Sequence, residues 1–311
     1  MPTQQVRIAV LLPCYNEEAA IGATVEGFRR ALPNATIYVY DNNSRDRTKE
    51  VAAEAGAVVR TEPQQGKGRV VRRMFADIEA DVYIMADGDL TYEPEAAPEM
   101  VRMLLEDQLD MVVGTRKHEA VEAYRGGHVL GNKLFTSLLS GLFGRSFTDI
   151  FSGYRAFSRR FVKSFPILSS GFEIETEMSV HALELRMPVG EVETRYLARP
   201  EGSESKLSTY SDGWRILKTI ITLYRIERPV LFFGSIGALL VVAALILAAP
   251  LVLTYLDTGL VPRFPTAILV TGMIIVAVLC FFAGLILDTV TRGRREIRRL
   301  AYLALPAPSG R

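Results

Sequence analysis

Cysteine is scarce in this chain, with 2 residues among 311. Cys14 follows the first apolar run and Cys280 lies in a long apolar segment near the carboxyl end. A disulfide between them is geometrically implausible, and the chain fits a reducing compartment. An excess of charge of one sign is also missing, since the formal net charge is +1. This near neutrality argues against a general nucleic-acid-binding surface.

Two motifs that mark other protein classes are absent. No G-x-G-x-x-G follows any predicted strand, which argues against a dinucleotide-dependent oxidoreductase. No signal peptide opens the chain, because Met1–Gln5 is polar and Ile8–Leu12 is too short for a hydrophobic signal core. We therefore expect the first apolar run to be part of the folded domain.

Charged side chains are missing from two long runs, Pro229–Leu256 and Phe264–Leu287. Each run exceeds the roughly 20 apolar residues that cross a bilayer. One such run is also consistent with a buried core helix, but two in succession with a short link predict a membrane hairpin. We place the transmembrane helices at about 230–256 and 265–287.

Basic residues flank the predicted hairpin on one side, whereas the link Asp257–Arg263 has one basic residue. The flanking residues are Arg215, Lys218, Arg225, Arg228, Arg292, Arg294, Arg295, Arg298 and Arg299. The positive-inside rule then predicts a multi-pass protein of the cytoplasmic (inner) membrane with its catalytic domain and both termini in the cytoplasm. The expected parts are a cytoplasmic domain at 1–212, an amphipathic juxtamembrane connector at 213–228, and a membrane part at 229–311 with a basic tail.

Before residue 213, patterns typical of strands alternate with patterns typical of helices. Val6–Leu12 is almost continuously apolar, as expected for a strand buried on both faces, and Glu17–Leu32 has helical spacing. The alternation continues with strands at Thr36–Tyr40, Val58–Val59 and Asp81–Ala86 and helices at Asp46–Ala55 and Gly68–Ala80. This order predicts an α/β fold with a mostly parallel, Rossmann-like sheet and helices on both faces.

Polar residues follow the predicted strands. Asp87 and Asp89, one residue apart, can hold a hard divalent cation such as Mg²⁺ or Mn²⁺. Asp41 can accept a hydrogen bond from a base or ribose, and the glycine-flanked Lys67 at a helix start can attract phosphate. Each feature alone is consistent with turn chemistry. Together with Pro13–Glu17, they converge on the sheet edge where open α/β sheets bind ligands.

These motifs, in this order, resemble those of membrane-bound family 2 glycosyltransferases of the GT-A fold, close to dolichyl-phosphate mannose synthases and bacterial polyprenyl-phosphate glycosyltransferases. The similarity covers most of Val6–Leu207. It is carried by Pro13-x-Tyr15-Asn16-Glu17, Asp41-x-x-Ser44-x-Asp46-x-Thr48, Gly66-Lys67-Gly68, Asp87-x-Asp89, Gly114-x-Arg116, Asp149-x-x-Ser152-Gly153-Tyr154-Arg155, Arg199 and Gly202-x-x-Ser205-Lys206-Leu207. Asn42 replaces an acidic residue of many relatives, and Thr91 replaces a glutamine of the mannose synthases, so the base and the sugar stay open.

The resemblance implies a nucleotide-diphosphate sugar as donor and a divalent cation held by Asp87 and Asp89. It assigns the donor to Pro13, Tyr15, Glu17, Asp41, Asn43, Lys67, Asp87, Gly88, Arg199 and Lys206. In the family an acidic residue near Glu175 approaches the sugar. Glu173, Glu175 and Glu177 occupy alternating positions, which leaves open one face of a strand or separate faces of a helix.

The acceptor is expected to be a lipid phosphate. Most inverting glycosyltransferases use a carboxylate base, but a phosphate monoester is already anionic near neutral pH because its second pKa is about 6. Such an acceptor needs cations, and the candidates are Arg116, Arg125, His128 and Lys133. They precede Leu134–Phe143, an apolar segment that suits either the membrane interface or a core helix. The catalytic set is Asp87, Asp89, Arg116, Arg125 and Glu175.

The favoured function is inverting transfer of a single sugar to a polyprenyl phosphate at the cytoplasmic membrane face. One alternative is transfer to a hydroxyl of a lipid-linked saccharide, which requires a carboxylate base. Another is a non-catalytic, membrane-anchored nucleotide-sugar binding protein. The absence of a Q-x-x-R-W motif, together with only two predicted spans, argues against a processive polysaccharide synthase. The sequence leaves open whether the chain forms a homo-oligomer.

Overall fold

The predicted alternation of strands and helices is present in the computed structural model, which describes residues 6–117, 147–167, 171, 173–197, 218, 221–222 and 224–308. The strands are β1 (Ile8–Cys14), β2 (Thr36–Asp41), β3 (Val58–Thr61), β4 (Val82–Met85), β5 (Met111–Lys117), β6 (Arg155–Ser158) and β7 (Val189–Arg195). The helices are α1 (Ile21–Ala31), α2 (Thr48–Glu54), α3 (Lys67–Asp77), α4 (Ala97–Glu106), α5 (Arg159–Ser164), α6 (Ile174–Glu184), α7 (Pro229–Thr258) and α8 (Phe264–Leu303). The ends of the elements differ from the predicted ones by a few residues.

The strands form a 7-stranded sheet in the order β3-β2-β1-β4-β6-β5-β7. Strands β1 to β4 pair in parallel, as do β5 and β7. Strand β6 runs antiparallel to both of its neighbours, β4 and β5. This confirms the α/β fold with a mostly parallel sheet.

The reversed direction of β6 decides which loops meet. Its first residue, Arg155, pairs with Met85 at the end of β4. The segment that precedes β6 therefore lies at the same edge as the segments that follow β1, β2, β4 and β5. This is the edge at which ligands bind in open α/β sheets.

Apolar side chains cover both faces of the sheet. On one face Val10 and Leu12 of β1 belong to a buried cluster with Val25 and Phe28, which lie on one side of α1. Aromatic rings from α3, β6 and α5 pack together, with ring centroids 5.7 Å apart for Phe75 and Phe157 and 4.7 Å apart for Phe157 and Phe161. The sheet is therefore packed against apolar side chains on both faces.

The chain divides into two compact units, one of residues 1–213 with 298–311 and one of residues 214–297. The last turns of α8 therefore belong to the first unit. There Arg298 Nη1 donates to Glu184 Oε2 at 2.5 Å, and Tyr302 Oη donates to the buried Asp110 at 2.7 Å.

The second unit contains the two apolar runs, each within a helix long and apolar enough to cross a membrane. Helix α7 has a mean hydropathy of 2.9 and α8 one of 2.8 over their most apolar windows. Besides Pro229 at the start of α7, the buried positions of the two helices recur every seventh residue: Gly237, Ala244 and Leu251 on α7, and Ala277, Gly284 and Thr291 on α8. Small residues at this spacing allow the backbones of two helices to approach closely. The helices fit a membrane anchor.

Candidate active site

The loops after β1 and β2 are joined by side chains of the second loop. Ser44 Oγ accepts a hydrogen bond from the Asn16 N–H at 2.9 Å, and Thr48 Oγ1 accepts one from the Glu17 N–H at 2.8 Å. In return Asn16 Oδ1 accepts from the Arg45 N–H at 2.8 Å. Ser44 and Thr48 therefore support the backbone that carries the predicted donor residues at positions 15 and 17.

Other predicted donor residues lie on this edge. Pro13 pairs with Tyr40 in the sheet, and the fully buried Asp41 accepts from the Ser44 N–H with both carboxylate oxygens at 3.3 Å. Asn43 has a φ of 63° and donates from Nδ2 to the Pro63 carbonyl.

Lys67 lies at the start of α3 and connects two carboxylates. Its Nζ is 2.5 Å from Asp87 Oδ1 and 2.5 Å from Glu175 Oε1. Burial alone would lower the pKa of this amine, but the negative charges of Asp87 and Glu175 outweigh burial and raise it well above its ordinary value. Lys67 is therefore a protonated bridge between the loop after β4 and helix α6.

Helix α6 settles the arrangement of the three glutamates. Glu173 is its N-cap residue, and Glu175 and Glu177 both lie in the first turn, where Glu175 is buried and Glu177 is half-buried. The strand alternative is therefore wrong. Of these three side chains, Glu175 is the one that pairs with Lys67.

Gly153 occupies a position that a larger residue would disturb. A Cβ atom at Gly153 would lie 2.9 Å from Asp87 Oδ2 and 3.3 Å from Lys67 Nζ. Its N–H donates to Tyr92 Oη at 2.8 Å. Burial, followed by the negative charge of Asp87, raises the pKa of Tyr92, so the phenol stays protonated. Sequence reasoning missed Tyr92, because no motif marks it.

The loop after β4 turns sharply at its second carboxylate. Asp89 is buried, and its Oδ1 accepts from the Thr91 N–H at 3.2 Å and from Thr91 Oγ1 at 2.6 Å. The Gly88 carbonyl accepts from Thr24 Oγ1 on α1 at 3.3 Å. The threonine that departs from the resembling family thus orients the Asp89 carboxylate.

Arg116, at the end of β5, forms a two-point ion pair. Its Nε donates to Asp149 Oδ2 at 2.7 Å and its Nη2 to Asp149 Oδ1 at 2.8 Å. Burial alone would raise the pKa of the Asp149 carboxyl, but the hydrogen bonds and charge of Arg116 lower it below its ordinary value. The guanidinium carbon also lies 5.4 Å from the centroid of the Tyr196 ring.

Arg155 holds the loop before β6 from inside the core. It is fully buried, and its guanidinium donates to the carbonyls of Ser152 at 2.9 Å and Ile150 at 2.5 Å and to Ser179 Oγ at 2.9 Å. Burial lowers the pKa of Arg155 to about 10, which still leaves it charged at neutral pH. Arg155, the arginine of the Asp149–Arg155 motif, thus stabilises the loop and has a structural role.

The carboxylates at this edge of the sheet suit a divalent cation. Asp87 and Asp89 offer the carboxylate oxygens that Mg²⁺ and Mn²⁺ prefer. Asp87 has one cationic neighbour, since its Oδ1 lies 2.5 Å from Lys67 Nζ. Among the described residues, no cluster of three or more histidine, cysteine, aspartate or glutamate side chains is placed to hold a metal without further ligands. The remaining coordination positions of the cation would thus be filled by phosphate oxygens of the nucleotide sugar and by water, as is common for Mg²⁺.

Five predicted site residues lie outside the described residues: Arg125, His128, Lys133, Arg199 and Lys206. The same holds for the apolar segment Leu134–Phe143. Their assignments stay predictions. The described residues bring together Asp41, Lys67, Asp87, Asp89, Arg116 and Glu175 at one edge of the sheet.

Comparison with known proteins identifies the family of this chain. The family model described as Glycosyl transferase family 2 matches residues 9–165. The chain is 35% identical over 239 residues to glycosyltransferase AglJ of Haloferax volcanii, covering 76% of this chain and 78% of that protein. It is 29% identical over 221 residues to a dolichyl-phosphate hexose transferase of the same organism, covering 71% and 95% of the two chains.

Solved structures share the fold. Glucosyl-3-phosphoglycerate synthase from Mycobacterium tuberculosis, in complex with Mn²⁺, UDP and glucosyl-3-phosphoglycerate, matches with a TM-score of 0.58 and 23% identity, over 71% of this chain and 79% of that chain. This likeness supports a GT-A-like architecture. With the family match and the relatives above, the chain belongs to glycosyltransferase family 2 and is a glycosyltransferase.

Proposed function

We propose that the protein transfers one sugar, with inversion, from a nucleotide-diphosphate sugar to a polyprenyl phosphate at the cytoplasmic membrane face. The observation that carries this proposal is the 2.5 Å ion pair between Lys67 and Glu175. A carboxylate held by an ammonium group is poorly suited to remove a proton from a hydroxyl. An acceptor phosphate oxygen needs no such base, because it is already anionic.

Two similarities support the choice of substrates. One relative is a dolichyl-phosphate hexose transferase, and the mycobacterial structure contains Mn²⁺ and UDP. In this chain Asp87 and Asp89 would hold the cation. When bound, the cation supplies positive charge that stabilises the departing diphosphate. Lys67 holds the carboxylates of Asp87 and Glu175 through its two ion pairs.

The acceptor phosphate is assigned to Arg116, together with Arg125, His128 and Lys133. The Asp149 pair uses Nε and Nη2 of Arg116 and so fixes the plane of the guanidinium. The planar fork suits a phosphate bound at two points, which lysine reproduces poorly.

The direct test supplies membranes containing the protein with labelled nucleotide sugars and either polyprenyl phosphate or the matching polyprenol. We expect a labelled lipid with the phosphate alone, and none in excess EDTA. Asp89→Asn should abolish transfer, whereas Asp107→Asn, on an exposed helix end, should not change it. Product from polyprenol, or full activity in EDTA, would contradict the proposal.

Glu175→Gln separates the two acceptor classes. If Glu175 serves through its pair with Lys67, this variant should retain measurable transfer to polyprenyl phosphate, because Lys67 keeps its contact with Asp87. If Glu175 is a base for a hydroxyl acceptor, transfer should be lost completely while the protein stays folded. Kinetics with donor and acceptor varied separately distinguish these outcomes.

A further inference from the structure

Asn42 connects the end of β2 to the loop that leads into α3. Its Nδ2 donates to the Glu62 carbonyl at 2.8 Å and to the Gln64 carbonyl at 2.9 Å. Its Oδ1 accepts from the Gly66 N–H at 2.7 Å. The side chain is buried, with 5% of the residue exposed. One amide therefore makes three hydrogen bonds to the backbone of residues 62–66.

These three partners require an amide. Two are carbonyl oxygens that accept, and one is an N–H that donates, which matches the two donors and the acceptor of an asparagine side chain. An aspartate of the same shape would place a carboxylate oxygen against the Glu62 and Gln64 carbonyls. In a buried position that contact is unfavourable, because three acceptors meet and none has a donor. The asparagine at this departure from the resembling family thus has a physical reason.

The loop held by Asn42 ends at Lys67. Gly66 has a φ of 139°, a conformation that side-chain-bearing residues rarely adopt, and it is the N-cap residue of α3. The next residue is Lys67, whose amine lies between Asp87 and Glu175. A change in the position of Gly66 would therefore move the backbone from which the bridging lysine extends.

We propose that Asn42 is a positioning residue. Its amide fixes the 62–66 loop and through Gly66 sets the place of the Lys67 ammonium beside Asp87. The ligand named in this proposal rests on the proposed function. It is a nucleoside diphosphate, whose binding we expect to depend on Asn42. The acceptor site is assigned to Arg116 on β5, which contacts Asp149 and Tyr196, both outside residues 62–66.

The test compares Asn42→Asp with Asn34→Asp, the same chemical change at an exposed residue between α1 and β2. Hydrogen–deuterium exchange reports on the Gly66 amide, and calorimetry measures the affinity for UDP and for GDP with Mn²⁺. For Asn42→Asp we expect faster exchange at Gly66 and about tenfold or greater weakening of nucleoside diphosphate binding. Asn34→Asp should behave as the wild type.

The KM values for the two substrates distinguish a positioning role of Asn42 from general destabilisation of the protein. In Asn42→Asp the KM for the nucleotide sugar should rise, while the KM for polyprenyl phosphate stays unchanged. If this variant does not fold, Asn42→Ser, which keeps one hydroxyl donor, is measured in the same way.

Two results would overturn the proposal: unchanged exchange at Gly66, or faster exchange with unaltered nucleoside diphosphate affinity. If the wild type binds neither UDP nor GDP, the other nucleoside diphosphates are titrated in the same way, and binding of none of them would contradict the proposed nucleotide donor. The exchange of Gly66 then decides by itself whether Asn42 holds the loop.

Discussion

Individual residues of the motifs divide into those that face the ligand edge and those that build it. Ser44 and Thr48 bind backbone N–H groups of the neighbouring loop, and Arg155 is buried beneath the segment before β6. Lys67 belongs to both groups, because it lies at the ligand edge and also connects Asp87 to Glu175. Breaking such a buried pair by removal of one partner typically costs about 3–5 kcal/mol. Loss of activity in a Lys67 variant alone would therefore not identify a contact with substrate.

His181 on α6 should make the stability of the fold depend on pH. The ring is buried, with its centroid 5.4 Å from that of Phe161 and 5.1 Å from that of Phe165. Burial, followed by the positive charge of Arg298, lowers its pKa from 6.5 to about 3. Because the folded-state pKa is lowered, the stabilisation is present above pH 6.5 and is lost as the pH falls toward 3.

The expected result is a fall in the free energy of unfolding by up to about 1.4 kcal/mol per pH unit from this group. Thermal or urea unfolding of the wild type and His181→Leu, between neutral and mildly acidic pH, measures it. The variant should lack this component of the slope. Equal pH dependence of the two proteins would show that His181 is not buried in its neutral form.

At the scale of elements, the pairing of α7 and α8 depends on small residues. A Cβ atom at Gly237 would lie 3.1 Å from the Ala277 carbonyl oxygen and 3.7 Å from the Cβ of Cys280. The second separation falls within the roughly 3.5–4.5 Å that disulfides span between Cβ atoms. We therefore expect Gly237→Cys to form a disulfide with Cys280 under oxidising conditions.

Gly234→Cys is the matched control, because a Cβ at Gly234 would have no neighbour within 4 Å. Mass spectrometry of the digested protein identifies the linked peptides. A link to Cys280 from position 234 but not from 237 would show that the two helices pack through different faces.

At the scale of the whole molecule, the chain combines a transferase fold with a unit of two apolar helices. The catalytic domain and both termini are proposed to face the cytoplasm, with the link Asp257–Arg263 on the opposite side, because basic residues flank the hairpin on one side. Tags at either terminus should be accessible only from the cytoplasm, and a tag in the link only from outside. A link tag labelled from the cytoplasm would refute the hairpin.

The sequence by itself determined the class of fold, the order of the strands and helices up to β4, and the two long apolar helices. These features depend on local patterns, such as the apolar run of β1, the helical spacing of α1 and the absence of charge from Pro229–Leu256. A buried strand, an amphipathic helix and a membrane-length helix each have a distinct periodicity or length. The family motifs include Lys67, Asp87 and Arg116, which lie at one edge of the sheet in the structure, and the roles of these residues stay predictions.

Only the tertiary structure decided what those side chains contact. The antiparallel course of β6 brings Gly153 against Asp87, and the packing of α6 brings Glu175 to Lys67. Spacing along the chain contains neither fact, because both depend on strand register and helix packing between distant segments. The reason for Asn42 was hidden in the same way, since its partners are backbone groups of a loop that folds back on β2.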